Sequence, residues 1–299
     1  MRLQLVALGL KNTQAITIAL LTFALYNGPS FFAAAQNSKT KNEERIFTLR
    51  VARPTDNLLE VVRFYRDGLG LEILTSFDRL GYKGEILGSK GSPYHFEFLH
   101  QRGRKVGKAP TQDNILAFYI PEAEWSSAVE RMQRHGYEPV KPANLFWEKD
   151  GKTFEDVDGY RVVLIKTSSV SGFLRVARPT DNLPEVLRFY RDGLGLGVIG
   201  AIENHDGFDG VTLGPSRKIL PYHLEFTHVR GETVGKAPTR ENLLVFFIAD
   251  RAEYKRAVER MKKHGYQPVK AENPWGNTKA KTFEDVDGYR VVLKNASWK

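Results

Sequence analysis

From residue 47 onward the apolar positions come in short blocks separated by glycine and proline. Phe47 to Arg53 is rich in branched residues and stops at Pro54, which predicts a short strand. Leu58, Val61, Val62, Tyr65 and Leu69 share one face of a helix over 58–69, with Asp56 or Asn57 as its cap and Gly70 as its terminator. Strands are predicted over 71–76, 84–87 and 94–99, with glycine-containing turns between them. The pattern then restarts. Residues 115–120 read as a strand and 122–135 as a helix closed by Gly136, and strands follow near 139–140, 153–155 and 161–165. A strand, a helix and three strands therefore occur twice in succession.

The whole arrangement is then duplicated. Residues 49–58 (LRVARPTDNL) recur letter for letter at 174–183, and 153–164 (TFEDVDGYRVVL) at 282–293. VGKAPT at 106–111 returns at 234–239, and His135-Gly136-Tyr137 at 264–266. Each copy has the size of a domain, well above the ~20–50 residues of a solenoid repeat. The expected organisation is a leader over 1–35, a polar linker over 36–46, a first domain over 47–167 and a second over 168–299. In the leader, Arg2 and Lys11 precede an apolar run from Ala15 to Tyr26, broken by Asn27-Gly28-Pro29 and followed by Ala33-Ala34-Ala35. That order suits a signal peptide, with an extension carrying no address as the competing reading. The run is shorter than the ~20 apolar residues of a spanning helix.

The motifs, in this order and twice over, resemble the vicinal oxygen chelate superfamily of glyoxalase, bleomycin-resistance and extradiol dioxygenase domains. Residues 63–71 (RFYRDGLGL) resemble that family's helix exit, and 155–160 (EDVDGY) its turn before the last strand. The VARPTDNL segment is closer still to a YycE-like glyoxalase subgroup. The resemblance implies an α+β fold in which each domain is two βαβββ modules forming a half-open, mixed β-barrel cup flanked by helices. The modules pair either within a copy or between copies, and the sequence leaves both open.

Metal-dependent relatives carry His or Glu on the first and fourth strands of each module. The resemblance places those positions at Arg50, Glu97, Ile115 and Val163 in the first copy, and at Arg175, Glu225, Leu243 and Val292 in the second. A guanidinium has no lone pair to give a metal, and aliphatic side chains have no donor at all. No cofactor is expected, and a divalent metal is disfavoured. Glu97 and Glu225 remain the candidate general bases, each facing an arginine that is expected to form an ion pair with it. His95 and His223 lie two residues before these glutamates and share their strand face, whereas His100 and His228 point away. Candidate ligand contacts are Arg50, His95, Tyr119, Trp147 and Arg161 in the first copy and Arg175, His223, Trp275 and Arg290 in the second. Tyr119 becomes Phe247 in the second copy, so only one cup is expected to hold that hydroxyl.

Charge and composition narrow the picture further. The chain has 299 residues, 44 Lys and Arg against 35 Asp and Glu, and no cysteine. Thiolate catalysis and cysteine-ligated metals are thereby excluded. The net +9 is dispersed among acidic residues, which argues against nucleic acid as a partner. A membrane contact is expected only through the leader. The resemblance implies a cytoplasmic protein and a true signal peptide a secreted one. The chain is expected to be a monomer with an internal pseudo-dimer. Three functions stay open: a module binding a small aromatic or anionic molecule, a lyase, isomerase or dioxygenase-type enzyme working through Glu97 and Glu225, and a structural protein with vestigial cups.

Overall fold

The computed structural model describes residues 47–169, 171–205, 207–215, 221–273 and 279–298. The leader, the linker and Trp275 lie outside the described residues. In chain order the first copy runs β1 (Thr48–Pro54), α1 (Leu58–Arg63), β2 (Glu72–Arg79), β3 (Tyr82–Gly88), β4 (Tyr94–Gln101), β5 (Ile115–Pro121), α2 (Glu122–Arg134), β6 (Gly151–Glu155) and β7 (Arg161–Thr167). The second runs β8 (Phe173–Pro179), α3 (Leu183–Leu187), β9 (Gly197–His205), β10 (Phe208–Gly214), β11 (Tyr222–Val229), β12 (Leu243–Phe247), α4 (Arg251–Lys263), β13 (Ala280–Glu284) and β14 (Arg290–Lys294). The expected helix over 58–69 is α-helical only to Arg63 and continues as a π-turn over Phe64–Gly68. Gly68 and Gly70 explain the tight exit. A Cβ on Gly68 would meet the Tyr137 ring at 2.8 Å, and Gly70 has φ of +84° beneath the Arg131 guanidinium.

The strands form two seven-stranded mixed sheets, and each sheet draws on both copies. One has the order β13-β14-β12-β1-β4-β3-β2, the other β6-β7-β5-β8-β11-β10-β9. The joints are antiparallel: β1 with β12, where Arg50 faces Val245, and β5 with β8, where Ala117 faces Arg175. The modules are thus exchanged between copies, which settles the alternative that the repeated sequences left open.

Contacts within a copy tie the exchanged modules back together. Arg131 on α2 donates to the carbonyls of Gly68 (3.1 Å) and Leu69 (2.7 Å), and Arg260 on α4 likewise holds Gly193 (3.0 Å). Arg53 at the end of β1 is 5% exposed and pairs with Asp156 and Asp158 in the turn between β6 and β7. Arg178 repeats this with Asp285 at 2.6 Å and Asp287 at 2.7 Å. The DVDG turn therefore clamps an arginine cation as well as reversing the chain, a role the sequence reading did not give it. Asp56 also differs from expectation. Neither it nor Asn57 caps α1; its carboxylate accepts from the backbone of Val106 (3.1 Å) and Gly107 (3.2 Å), while Asn182 alone caps its helix in the second copy.

Strand alternation divides each sheet into two faces. Leu49, Phe96, Phe98, Phe246, Val291 and Leu293 are buried on one face of the first sheet. Tyr65 from the α1 exit packs there, 4.5 Å from the Phe98 ring centroid. A cavity of about 90 Å³ lies between the two sheets on these faces, lined among others by Val51, Phe96, Leu116, Val176, Leu224 and Leu244. The arginines lining it, Arg53, Arg178 and Arg290, are already held by acidic side chains. The opposite faces carry the candidate site residues.

Candidate functional site

In the first cup, registered strands place Arg50 beside His95 and Val245, and Ala52 beside Glu97 and Leu243. The Arg50 Nη1 donates to Glu97 Oε2 at 2.6 Å, and Arg50 Nε donates to His95 Nε2 at 2.8 Å. The two side chains of the ion pair are 12% and 17% exposed, so the pair is largely withdrawn from water. Because a guanidinium only donates, His95 must accept through Nε2, which fixes the neutral Nδ1–H tautomer. Burial and the positive charge of Arg50 push the imidazole down to about 3. The Arg50 carbon lies 5.0 Å from the Phe247 ring centroid and 4.4 Å from that of Trp298. Val245, Phe247, Ala280 and Val292 supply an apolar wall.

The second cup repeats the pair with different surroundings. Arg175 Nη1 reaches Glu225 Oε2 at 2.6 Å. Its Nε is buried without a partner, as are both ring nitrogens of His223 and the hydroxyl of Thr153. In the first cup the orphaned atoms are His95 Nδ1 and the hydroxyl of Thr282. Tyr119 turns its ring to Arg175 at 5.1 Å and stacks on Phe173 at 4.0 Å. Trp147, 4% exposed, joins Ile115, Ala117, Val163 and Ile165 in the apolar wall.

The exchange of modules regroups the candidates from sequence. Arg50, His95, Glu97 and Arg290 lie on strands of the first sheet, whereas Tyr119 and Arg161 join Arg175, His223 and Glu225 on the second, and Trp147, in the short turn Leu145–Trp147, packs on that second sheet. Arg161 and Arg290 share the parity of Val163 and Val292, but both are tied down. Arg161 donates to Glu155 (3.1 Å) and the Lys141 carbonyl (3.0 Å), and Arg290 to Glu284 (2.8 Å) and the Lys270 carbonyl (3.3 Å). Tyr222 sends its hydroxyl to the Phe47 carbonyl at 2.8 Å. His100 and His228 turn to the Thr55 and Thr180 carbonyls.

The donor set does not fit a divalent metal. Beside its arginine each cup offers one carboxylate, Glu97 or Glu225, already engaged by that cation, and one imidazole, His95 or His223. Among the described residues no group of three or more His, Cys, Asp or Glu side chains is arranged to hold an ion.

Three residues of the cups escaped the sequence reading. Glu241, just before β12, is 3% exposed and accepts from the Asn273 amide at 2.7 Å. Burial, reinforced by the negative charge of Glu97, pushes its carboxyl up to about 7. Its counterpart is Asp113, so the cups differ in the length of this acid. Trp298 follows β14 and stacks on His95 at 4.2 Å with planes 21° apart. Phe173 fills the matching space in the second cup. A polar run before a strand was the one signal for Glu241, and Trp298 lies outside the repeated segments.

Residues 49–99 and 174–227 match the YycE-like N-terminal domain, and residues 113–166 and 241–295 match the YycE-like C-terminal domain. The uncharacterized protein YycE of Bacillus subtilis is 41% identical over 126 residues, which span 41% of this chain and 87% of that protein. The chain belongs to the YycE-like family. It carries the YycE-like N- and C-terminal domains twice, and their boundaries follow the four modules that build the exchanged sheets. The crystal structure of B. subtilis YycE, a protein of unknown function, shows 40% identity over 42% of this chain and 91% of its own, with a TM-score of 0.39. Glyoxalase I from Zea mays covers 83% of this chain and 92% of its own at 20% identity and a TM-score of 0.62. This YycE-like chain thus has the glyoxalase I fold across most of its length. Among the described residues no helix is long and apolar enough to cross a membrane.

Proposed function

We propose that the chain binds a small organic anion in its cups, anchored by arginine and without a bound metal. The observation that supports this most directly is the clustering of orphaned polar atoms. Buried polar groups almost always find hydrogen-bond partners. Here Arg175 Nε, both His223 nitrogens, His95 Nδ1 and the hydroxyls of Thr153 and Thr282 have none among the described residues. All six lie on the same sheet faces as the Arg–Glu pairs, among apolar walls. A few convergent polar groups in an apolar concavity are what a small-molecule site requires. The arginine supplies charge and a planar fork, while its glutamate partner keeps it oriented when no ligand is bound.

An enzyme of lyase, isomerase or dioxygenase type working through Glu97 or Glu225 is the weaker reading. A general base must present a free lone pair to the proton it removes. In both glutamates Oε2 is engaged by a guanidinium at 2.6 Å, which leaves Oε1 as the single oxygen open to a substrate proton. A thermal-shift screen of small carboxylates and phosphonates, run with EDTA and then with added divalent metals, separates the readings. Stabilisation in EDTA that disappears in a variant carrying both Arg50→Met and Arg175→Met supports metal-free binding. Stabilisation or turnover that appears only with metal overturns it.

A further inference from the structure

The two cups are equivalent in sequence at the Arg–Glu pair but not beside it. In the second cup, Phe173 lies on β8 directly opposite Tyr119 on β5. Its ring stacks on Tyr119 at 4.0 Å with planes 11° apart and lies 5.0 Å from His223. That aromatic is carried by a strand at the β5–β8 joint. In the first cup the same register position, opposite Phe247, is Thr48. Threonine leaves the space beside the histidine unfilled by the strands, and Trp298 enters it from outside the sheets. Its indole stacks on His95 at 4.2 Å and lies under the Arg50 guanidinium at 4.4 Å.

The ring packs on Phe247, 5.8 Å between centroids, at the edge of the apolar wall, but the backbone that carries it is lightly attached. Asn295 is the last anchored residue before it, with its amide bonded to the Ile248 and Ala249 carbonyls at 2.9 and 3.1 Å. The Ala296 N–H bonds back to the Lys294 carbonyl at 2.9 Å. Ser297 is exposed and Trp298 is half-buried. A cavity of about 340 Å³ adjoins the ring, lined by Phe47, Thr48, Phe247, Asp250 and Trp298 among others.

We propose that Trp298 is a displaceable occupant of the first cup, standing where a planar aromatic anion binds between His95 and Phe247 with its charge on Arg50, while Phe173 keeps the second cup closed. This rests on the ligand-binding reading above and makes it specific. The indole marks the shape of the ligand, because a flat ring satisfies the stacking surface of His95 and the cationic face of Arg50 together. It lacks an anionic group, which a ligand would add toward Arg50 and the unpartnered Nδ1 of His95. Binding then competes with the chain's own side chain, so the apparent affinity is lowered by the fraction of cups already filled.

The probe is 2-naphthoate, titrated calorimetrically in EDTA into the full chain, with cyclohexanecarboxylate as the non-planar control. The wild type is expected to bind one naphthoate per chain, and cyclohexanecarboxylate at least ten-fold more weakly. Trp298→Ala is expected to bind naphthoate about ten-fold more tightly. Arg50→Met loses binding and Arg175→Met retains it. Phe173→Thr raises the stoichiometry from one to two. With 5-fluorotryptophan incorporated, and the resonance assigned by Trp298→Phe, the Trp298 fluorine signal shifts on naphthoate addition. Equal or weaker binding by Trp298→Ala, or an unmoved Trp298 signal at saturation, overturns the displacement while leaving Arg50-dependent binding intact. Binding lost in Arg175→Met but not in Arg50→Met overturns the assignment to the first cup and leaves the ligand-binding reading standing. No binding in any variant overturns both.

Discussion

Replacing Arg50 by methionine probes the ion pair at the centre of the first cup. Glu97 would keep its charge on a face walled by Ala52, Leu243 and Val245, with its side chain only 17% exposed. Removing one partner of a buried pair costs about 3–5 kcal/mol, because the other charge is stranded. The partial exposure of both side chains (12% and 17%) favours the lower end, about 3 kcal/mol. For a unit of this size that is a fall in Tm of roughly 6–12 °C. Replacing both partners, Arg50→Met with Glu97→Leu, removes the desolvated charges together and is expected to restore stability to within about 1 kcal/mol of the wild type. Urea denaturation of the wild type, both single variants and the double variant closes the cycle. An Arg50→Met protein within about 0.5 kcal/mol of the wild type would show that the pair is not desolvated. A double variant less stable than Arg50→Met would refute the reasoning outright. If the double variant is stable but no longer binds a ligand, the pair is retained for binding and not for folding.

Further expectations concern the buried acid, the histidines, the aspartate clamp and the exchange of modules. The Glu241 carboxyl sits at about 7 in the folded chain against about 4.5 unfolded, so the folded state favours the proton and stability falls as pH rises through that window. Glu241→Gln should remove this slope and gain about 3 kcal/mol over the wild type at pH 8 but little at pH 4.5; parallel melts at the two pH values check it. His95 and His223 act with the opposite sign. Their folded values of about 3 and about 4 lie below the unfolded 6.5, so stability is lost as pH falls from 6.5 toward them, and Phe at both positions should flatten that acid limb in a denaturation series. Arg53→Met strands Asp156 and Asp158 and should cost about 3–5 kcal/mol in urea melts. A protease site inserted near Ser169 should leave the cut halves co-eluting in gel filtration, because β1–β12 and β5–β8 hold them in common sheets; halves that separate would contradict the exchange.

The order of strands and helices was legible because it follows from local patterning. The apolar stripe of α1, Pro54 at the end of β1 and the glycine exits all act within a few residues. The Arg–Glu pairs were legible too, since period-two alternation brings registered positions on neighbouring strands to one face. The exchange of modules was not. Residues 49–54 and 174–179 are identical, so β5 and β12 meet the same partner sequence whichever strand they choose. The Arg53 and Arg178 clamps, which join each DVDG turn to the first strand of its own copy, also use residues identical in the two copies, so the repeated sequence alone could not decide the pairing. Glu241 was hidden because its burial depends on Asn273, thirty-two positions away. Trp298 was hidden because its contacts with His95 and Arg50 span most of the chain, and because only the difference between Thr48 and Phe173 creates the space it fills.

The central claim is that the cups hold small organic anions by arginine without a metal. Its most direct test is calorimetric titration of the Trp298→Ala chain with 2-naphthoate, first in EDTA and then with saturating divalent metal. The account predicts the same affinity in both, abolished by adding Arg50→Met. Binding that appears only after metal is supplied, or that persists when Arg50→Met and Arg175→Met are combined, would contradict it.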